Sequence, residues 1–352
     1  MFTSVSVKNF RCFQDFSIDS LDRINLIAGK NNVGKTALLE AIFLLTGGTN
    51  PGIVVTLAAG RGVERFNSSA ATELLFAPLF SNFDDRNPIK IGGLQINGDR
   101  HTVELQSVPR KSTWLVVGEA MNYELENSNH IGQGLQLKYT SPSGKIWLSN
   151  IWQDAQGIKA EQLSKKTPLL TASFIAAHAG QASAAAQLSC LEVVKEEYNI
   201  VESLRIVEPR LQRLTTGLVA GMPVIYGDLG LERLLPLSIM GEGLQRLTYI
   251  LLAIAKVRNG IVLIDEVENG LHHSFIEKVW HAIGNTARKF DSQVIATTHN
   301  YECIQAAHQA FTESQKYDFR LHRLDIIDDN IRAVNYKQEI LETAIATGFE
   351  VR

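Results

Sequence analysis

The chain has 352 residues, of which 45% are hydrophobic and 20% are charged, close to the average of globular proteins. This length allows one large domain or two ordinary ones, and it is enough to bury a sizeable core. The formal net charge of -3 gives no overall positive field of the kind that draws a protein to nucleic acid, although a local basic patch is not excluded.

The cysteines and the hydropathy pattern indicate the compartment. Cys12, Cys190 and Cys303 lie far apart and lack the spacing of a metal site. An odd, sparse set of cysteines is typical of a reducing environment. No apolar run approaches the roughly 20 residues of a membrane span, and the N-terminus lacks the apolar core of a signal peptide. We therefore expect a cytoplasmic protein without a membrane partner.

The first 47 residues predict two strands, a loop and a helix. The stretch "SVSVKNF" alternates apolar and polar residues, and "RINLIAG" is a short apolar strand ending in glycine. The helix "TALLEAIFLLTGG" follows, with Gly47 at its C-cap.

The middle of the chain has a different sequence pattern. From about residue 50 to 170, alternating stretches are punctuated by Gly, Asn-Gly and Pro-Ser-Gly, a pattern typical of antiparallel hairpins. Residues 187–215 are predicted to be helical, with a break or kink at Pro209. The stretch "PVIYGDLGLERLLPL" is predicted to form a small hairpin.

The last third alternates strands with helices. A helix is predicted after Gly243, followed by the strand "GIVLIDE", a helix near 273–290 and the strand "SQVIATTH". This alternation predicts an α/β fold with a mixed, largely parallel central sheet. "DIIDDNIRAVNY" is predicted to form strands, and "QEILETAIATG" a last helix. We expect an N-terminal lobe over 1–175 that includes the antiparallel β-rich insertion (about 50–170), a helical lobe over 176–245, and the rest of the core over 246–352.

A phosphate-binding loop is predicted between the second strand and the first helix. Gly29, Gly34, Lys35 and Thr36 match the pattern G-x-x-x-x-G-K-[ST]. Such a loop turns its amides toward a phosphate at a helix N-terminus, with the lysine on the β- and γ-phosphates and the threonine hydroxyl on Mg²⁺. The remaining predicted nucleotide contacts in this loop are Lys30, Asn31, Asn32, Val33 and Ala37.

Two later strands end in residues that suit the same site. "IVLIDE" ends in Asp265, predicted to orient Mg²⁺, and Glu266, predicted to be the general base. His299 follows the next strand and is predicted to lie near the γ-phosphate, the alternative being a capped or surface histidine.

Together these stretches resemble the ABC-type ATPases of the RecF/SMC branch, with the nearest likeness to the ATPase part of OLD-family proteins. The motifs that carry the resemblance are "NFRCF", "GKNNVGKTALLEAI", "SIMGEGLQRL", "IVLIDEVENGLHH" and "TTHN". They occur from the first strand to residue 300, so the resemblance covers most of the chain. It implies a P-loop ABC-ATPase fold that uses ATP and Mg²⁺.

The resemblance also gives a role to "SIMGEG". In these ATPases the equivalent signature segment contacts the γ-phosphate of ATP held by the other subunit. The residues that would do so here are Ser238, Gly241, Glu242 and Gly243. Read without the resemblance, the same stretch is an ordinary helix cap, because Ser and Gly are common cap residues.

Further residues are carried over from the family pattern. "ENGLH", Glu268 to His272, matches the D-loop that couples the two sites, with Val267 in place of an expected proline. The pair His272–His273 is a solvated loop or helix start, or else a metal site. Arg11 matches an arginine that lies close to nucleotide, and a simple surface arginine is the equal alternative. Gln181 is the candidate Q-loop ligand of Mg²⁺.

The resemblance implies an ATPase that forms a homodimer or higher oligomer around ATP and controls DNA repair or antiphage defence through a separate nuclease or effector. The alternative is a nucleotide-switched DNA-binding clamp with negligible turnover, so DNA stays open as a partner. A transporter motor is disfavoured by the long β-rich segment, and a phosphotransferase leaves the signature and His299 unexplained. OLD-family nucleases continue into a Toprim domain, whereas this chain stops at Arg352, so no intrinsic nuclease activity is expected.

Overall fold

The structure is a computed structural model that describes residues 1–59, 76–109, 133–154, 157–162, 170–176 and 181–352. Among these residues, no helix has both the length and the apolar character needed to cross a membrane. The strands are β1 (Phe2–Phe10), β2 (Phe13–Ile18), β3 (Ile24–Ala28), β4 (Ile89–Gln95), β5 (Arg100–Pro109), β6 (Gln133–Thr140), β7 (Ile146–Asp154), β8 (Gly157–Gln162), β9 (Ala172–Ile175), β10 (Arg213–Val219), β11 (Met222–Asp228), β12 (Leu235–Pro236), β13 (Ile261–Ile264), β14 (Gln293–Thr297), β15 (Phe319–Ile327) and β16 (Asn330–Tyr336). The helices are α1 (Lys35–Gly47), α2 (Pro51–Ala59), α3 (Gln181–Val194), α4 (Glu197–Leu204), α5 (Glu242–Lys256), α6 (Ile276–Lys289), α7 (Tyr301–Thr312) and α8 (Gln338–Ala346).

The predicted hairpins form an antiparallel sheet. Within the described residues its strand order is β2-β1-β4-β5-β6-β7-β8. The β4–β5 hairpin turns at Asn97–Gly98, where Gly98 has a φ of +86°, a conformation that glycine adopts without strain. Because β1 pairs with β4, the predicted insertion shares one sheet with the start of the chain.

The mixed sheet has the order β16-β15-β3-β14-β13-β9, again within the described residues. The strands β15, β3, β14, β13 and β9 are parallel, and only β16 runs antiparallel to its neighbour. This confirms the predicted largely parallel sheet. The carboxyl ends of β3, β14 and β13 therefore lie side by side at one edge.

Helix α1 lies between the two sheets. Its sequence is apolar on every side, and ten of its residues are buried, which is the pattern of a helix enclosed by protein. Leu38, Leu39 and Ile42 share one core with Ile27 of β3 and Ile91 of β4. Residues on the other face of β3, such as Leu26, pack in a second core with the helices α3 to α8. The phosphate loop is thus held at the junction of the two cores.

The structure differs from the predicted elements in two places. A strand, β2, was missed, and it pairs with β1 as a tight hairpin. Residues 187–215 are not one helical region, because α4 ends at Leu204 and β10 follows it. The strand forms because Thr215 and Thr216 are β-branched and the turn Ala220–Gly221 has positive φ at both residues, so β10 and β11 close as a hairpin. The predicted small hairpin is the β11–β12 part of this three-stranded sheet.

Candidate nucleotide site

The predicted phosphate loop connects β3 to α1, as the sequence indicated. Gly29 has a φ of +146° and Gly34 a φ of +97°, both outside the range of ordinary L-residues. A Cβ on Gly29 would lie 2.8 Å from the carbonyl oxygen of Leu324 in β15, and one on Gly34 would lie 2.7 Å from Sγ of Cys12 in the β1–β2 turn. Glycine is therefore required at both positions for backbone conformation and for space.

Lys35 turns back onto its own loop. Its Nζ donates to the carbonyl oxygens of Gly29 at 2.6 Å and Lys30 at 2.9 Å. Burial lowers the pKa of Lys35, and the carboxylates of Glu268, Asp265 and Glu266 act in the opposite direction. A half-buried ammonium held by two neutral carbonyls keeps most of its charge uncompensated at short range, so it is suited to an anionic ligand.

Asp265 joins the phosphate loop to the neighbouring strands. Its carboxylate accepts from the hydroxyl of Thr36 at 3.0 and 3.2 Å and from the hydroxyl of Thr297 at 2.7 Å. Thr36 is the second residue of α1, Asp265 follows β13 and Thr297 ends β14. Two strand ends and the start of a helix therefore place one carboxylate and two hydroxyls together.

These oxygen donors fit Mg²⁺, a hard cation that takes carboxylate and hydroxyl ligands. Thr36 and Asp265 are the residues that would hold it. Gln181 is the first residue of α3, and the placement of its side chain lies outside what the structure describes.

Glu266 lies beside Asp265 in a different environment. Its backbone has a φ of 48°, an uncommon conformation for a residue with a side chain, and its amide donates to the hydroxyl of Thr297 at 2.8 Å. Its side chain is 42% exposed, and Oε2 accepts from the amide of Asn269 at 2.7 Å. One carboxylate oxygen of Glu266 is thus anchored while the group stays open to solvent.

His299 lies at the same edge, after β14, and its side chain is 47% exposed. Its Nδ1 is 3.2 Å from Oε1 of Glu268 and 4.0 Å from Oε1 of Glu266. The structure therefore brings the predicted residues Lys35, Thr36, Asp265, Glu266 and His299 to one edge of the mixed sheet.

The signature segment, Ser238–Gly243, leads into α5. Ser238 is exposed in a short turn, Leu237–Ile239, and α5 begins after it. The N-cap of α5 is Gly241, with a φ of 106°, and no side chain caps the helix. The stretch therefore does form the cap of a helix, with Gly241 rather than Ser238 as the cap residue. The first-turn amides of α5 have no intrahelical partner and carry the positive end of the helix dipole.

Arg246 in α5 is a residue of the site that the sequence analysis missed. It is 7% exposed, and its guanidinium donates to the carbonyl oxygens of Ala176 after β9 at 2.9 Å and of Asp265 at 3.1 Å. Burial lowers its pKa, opposed by Asp265, Glu266 and Glu268. Its position three residues after Gly243 was the available signal, because an arginine on the apolar face of a helix needs buried acceptors.

Arg11 is not a surface arginine. Its side chain is 7% exposed and forms an ion pair with Glu40 of α1 at 2.6 Å. It therefore supports the helix that begins at the phosphate loop, and direct contact with nucleotide stays a prediction.

The pair His272–His273 forms the start of a short helical turn, as one of the two predicted alternatives had it. The Nδ1 of His272 lies 2.9 Å from the hydroxyl of Ser274, and both histidines are exposed. Within the described part of the chain, neither belongs to a group of side chains spaced to hold a metal ion.

Comparison with known proteins identifies the family. Residues 24–304 match the family described as "AAA domain, putative AbiEii toxin, Type IV TA system". The chain belongs to this family. It is an ATPase, and its P-loop ABC-ATPase fold is the one the sequence predicted.

A relative in Helicobacter pylori (strain ATCC 700392 / 26695), named ATP/GTP phosphatase, is 24% identical to this AAA-domain ATPase over 338 residues, covering 89% of each chain. A solved SMC head bound to the C-winged helix domain of ScpA matches with a TM-score of 0.50 and 12% identity, covering 98% of this chain and 99% of that one. An SMC head with an extended coiled coil, bound to the C-terminal domain of ScpA derived from Pyrococcus furiosus, matches with a TM-score of 0.50 and 11% identity, covering 98% of each chain. At these identities the SMC heads show the fold alone.

Proposed function

We propose that this ATPase hydrolyses ATP at a site shared by two copies of the chain. Gly29–Thr36 of one copy would bind the phosphates, and Ser238–Gly243 of the other would complete the site. The observation that carries this proposal is the exposed N-terminus of α5: it has no side-chain cap, while the clustered side chains Lys35, Thr36 and Asp265 lie at the sheet edge.

The proposed roles follow from the environment of each residue. Lys35 would leave its two loop carbonyls for phosphate oxygens, because a charge-assisted hydrogen bond is stronger than one to a neutral carbonyl. Mg²⁺, when bound at Thr36 and Asp265, would neutralise phosphate charge. Glu266 would accept the proton of the attacking water, since its carboxylate is exposed on one side and anchored by Asn269 on the other. His299 would contact the terminal phosphate.

The amides of α5 would act in the partner's site. A helix N-terminus stabilises negative charge, and Gly241 and Gly243 allow close approach because neither carries a side chain. Ser238 would add its exposed hydroxyl. ATP would then hold two copies together, and hydrolysis would release them.

The biological process is a further part of the proposal. We infer a cytoplasmic role in DNA repair or antiphage defence, exerted through a separate nuclease or effector protein. Partner binding is supported by the two SMC heads, which were solved with domains of ScpA. A DNA-binding clamp with negligible turnover is the other candidate, and a binding affinity for DNA that falls steeply with salt would favour it.

Complementation between two inactive variants tests the shared site. Ser238→Arg is expected to retain ATP binding and to lose at least about 100-fold in turnover, since the arginine blocks the contact with the partner's phosphate. Lys35→Ala is expected to lose ATP binding. Mixing the two should restore activity, because one of the two sites in a mixed dimer then has an intact Lys35 and an intact Ser238.

The matched control is Ser143→Arg, an exposed serine in the turn between β6 and β7, which should turn over ATP like the wild type. Activity would be measured by phosphate release, and dimerisation by light scattering with and without ATP. Full activity of Ser238→Arg alone, or no recovery on mixing, would contradict the shared site.

A further inference from the structure

Glu268 is a buried carboxylate next to the candidate site. It follows Val267 in the turn after β13, and its side chain is 8% exposed. A carboxylate is rarely buried to this extent unless it has partners or a function that retains it. Its surroundings therefore indicate what it does.

One carboxylate oxygen of Glu268 accepts hydrogen bonds from the segment that carries His299. Oε1 accepts from the hydroxyl of Thr298 at 2.7 Å and from the backbone amide of His299 at 3.0 Å. The same oxygen is 3.2 Å from Nδ1 of His299, within hydrogen-bonding distance. Glu266 is too far from Nδ1, at 4.0 Å, to compete for it.

The other oxygen makes no such contribution. Within the described residues, Oε2 of Glu268 is buried and has no hydrogen-bond partner. A buried acceptor without a partner destabilises the folded state. Packing alone does not explain why a carboxylate is buried at position 268. An interaction with the imidazole of His299 does explain it.

We propose that Glu268 is the positioning residue that fixes the ring of His299. By accepting a hydrogen bond from Nδ1–H, it keeps the imidazole in the tautomer with Nε2 unprotonated. Glu268 also accepts hydrogen bonds from the hydroxyl of Thr298 and the backbone amide of His299. These bonds fix the backbone that carries the ring, as well as the ring itself. This inference rests on the proposed hydrolytic function.

The position of Glu268 also relates His299 to the signature helix. Two residues after Glu268, a Cβ on Gly270 would lie 3.1 Å from Cγ of Glu242, and a Cβ on Gly243 would lie 3.3 Å from the carbonyl oxygen of Gly270. The turn that carries Glu268 is therefore packed against the first turn of α5, the part proposed to face a partner chain.

The ring tautomer of His299 tests the proposal directly. In protein labelled with ¹⁵N-histidine, long-range ¹H–¹⁵N spectra distinguish protonated Nδ1 from protonated Nε2, and His299→Gln assigns the signal. We expect protonated Nδ1 in the wild type. Glu268→Ala should move the signal to the Nε2–H form, and Glu268→Gln should restore Nδ1–H, because its amide oxygen can accept the same bond.

Kinetics provide the second readout. Glu268→Ala is expected to lower kcat about 10- to 100-fold, the range for loss of a residue that orients a functional group, while KM for ATP stays within about threefold. Glu268→Gln should recover part of kcat. The matched control is Glu302→Ala, an exposed glutamate in the first turn of α7, which should change neither readout.

The outcomes separate the two proposals. A wild type that binds ATP without hydrolysing it overturns the proposed function, while a tautomer change in Glu268→Ala still supports the positioning role. An unchanged His299 signal in Glu268→Ala, or a rise in KM with unchanged kcat, overturns the positioning role even if the wild type is an active ATPase. Loss of folding in Glu268→Ala leaves Glu268→Gln as the deciding variant: an Nε2–H signal there contradicts the proposal.

Discussion

Two adjacent carboxylates of the candidate site differ in what surrounds them. Asp265 is held by the hydroxyls of Thr36 and Thr297, so its oxygens are oriented toward the phosphate loop. Glu266 has one oxygen anchored by Asn269 and a side chain that is 42% exposed. This difference separates a metal-orienting role from that of a base, since a general base must reach water.

Replacing Glu266 by glutamine tests that division. Glu266→Gln keeps an acceptor for Asn269 but cannot take a proton, so we expect kcat to fall by about 10²- to 10⁴-fold with little change in ATP affinity. An ATP-bound dimer should then accumulate, visible by size-exclusion chromatography. Turnover equal to that of the wild type would remove Glu266 as the base; Glu277→Gln, on the exposed side of α6, is the control.

Much of the site could be predicted because it lies at strand ends. Parallel strands bring their carboxyl ends to one edge, so a glycine-rich loop, an Asp-Glu pair and a histidine that follow three such strands must meet. Thr297 and Arg246 were missed, and Glu268 was assigned only to the D-loop, because their contacts join segments far apart in sequence. The sequence does not show which groups a threonine in an apolar strand, or an arginine in a helix, will hydrogen-bond.

At the scale of elements, α5 links the signature turn at its N-terminus to the ends of two strands of the mixed sheet. Its N-terminus is exposed, whereas Arg246 near the same end reaches the carboxyl ends of both β9 and β13. The helix cannot shift along its axis without breaking two partly buried hydrogen bonds. The signature turn is therefore kept in register with Asp265 in the same chain.

Arg246→Met should separate stability from activity. The methionine fills much of the space but leaves two carbonyl oxygens unpaired, so we expect a loss of about 1–3 kcal/mol in the free energy of unfolding, measured in urea. The kcat should fall more than the affinity for ATP, because the phosphate loop is not altered. Lys256→Met, at the exposed C-terminal end of the same helix, is the control. A variant as stable and as active as the wild type would show that the two bonds are without consequence.

Some helices and strands could be predicted from the sequence and others could not, for physical reasons. Helix α1 and strand β13 were recognised because each is strongly apolar over its length and bounded by polar or glycine residues. The first three residues of β10 were included in a predicted helix, because "RLTTGLV" carries no strict alternation of apolar and polar residues. The strand forms as half of a hairpin that turns at Ala220–Gly221, where both residues have positive φ. β2 was missed since two residues between strands leave little turn signal when neither is Gly or Pro.

At the scale of the whole molecule, one side chain joins the two sheets. Gln293 at the start of β14 is fully buried. Its amide donates to the carbonyl oxygens of Phe2 and Asp22, each at 2.8 Å, and its Oε1 accepts from the amide of Phe2 at 2.8 Å. The first strand of the antiparallel sheet is thereby tied to the mixed sheet.

Gln293→Leu should weaken that connection. The buried amide and carbonyl oxygen of Phe2 lose the Gln293 side chain, while the carbonyl oxygen of Asp22 keeps its bond from Asn25. We expect a loss of about 2 kcal/mol or more in the free energy of unfolding, measured by urea denaturation. The control is Gln14→Leu, on the exposed side of β2, with a change within about 0.5 kcal/mol. Equal stability of the two variants would show that the apolar core alone holds the sheets together.

The two glycines of the phosphate loop have a consequence for binding. Gly29 lies against Leu324 of β15, and Gly34 lies against Cys12 and Phe13 of the β1–β2 hairpin. The loop is thus confined by strands of both sheets. Its conformational entropy is lost when the chain folds rather than when a nucleotide arrives, so the anion site is preorganised and its affinity depends on the integrity of strands that never touch the nucleotide.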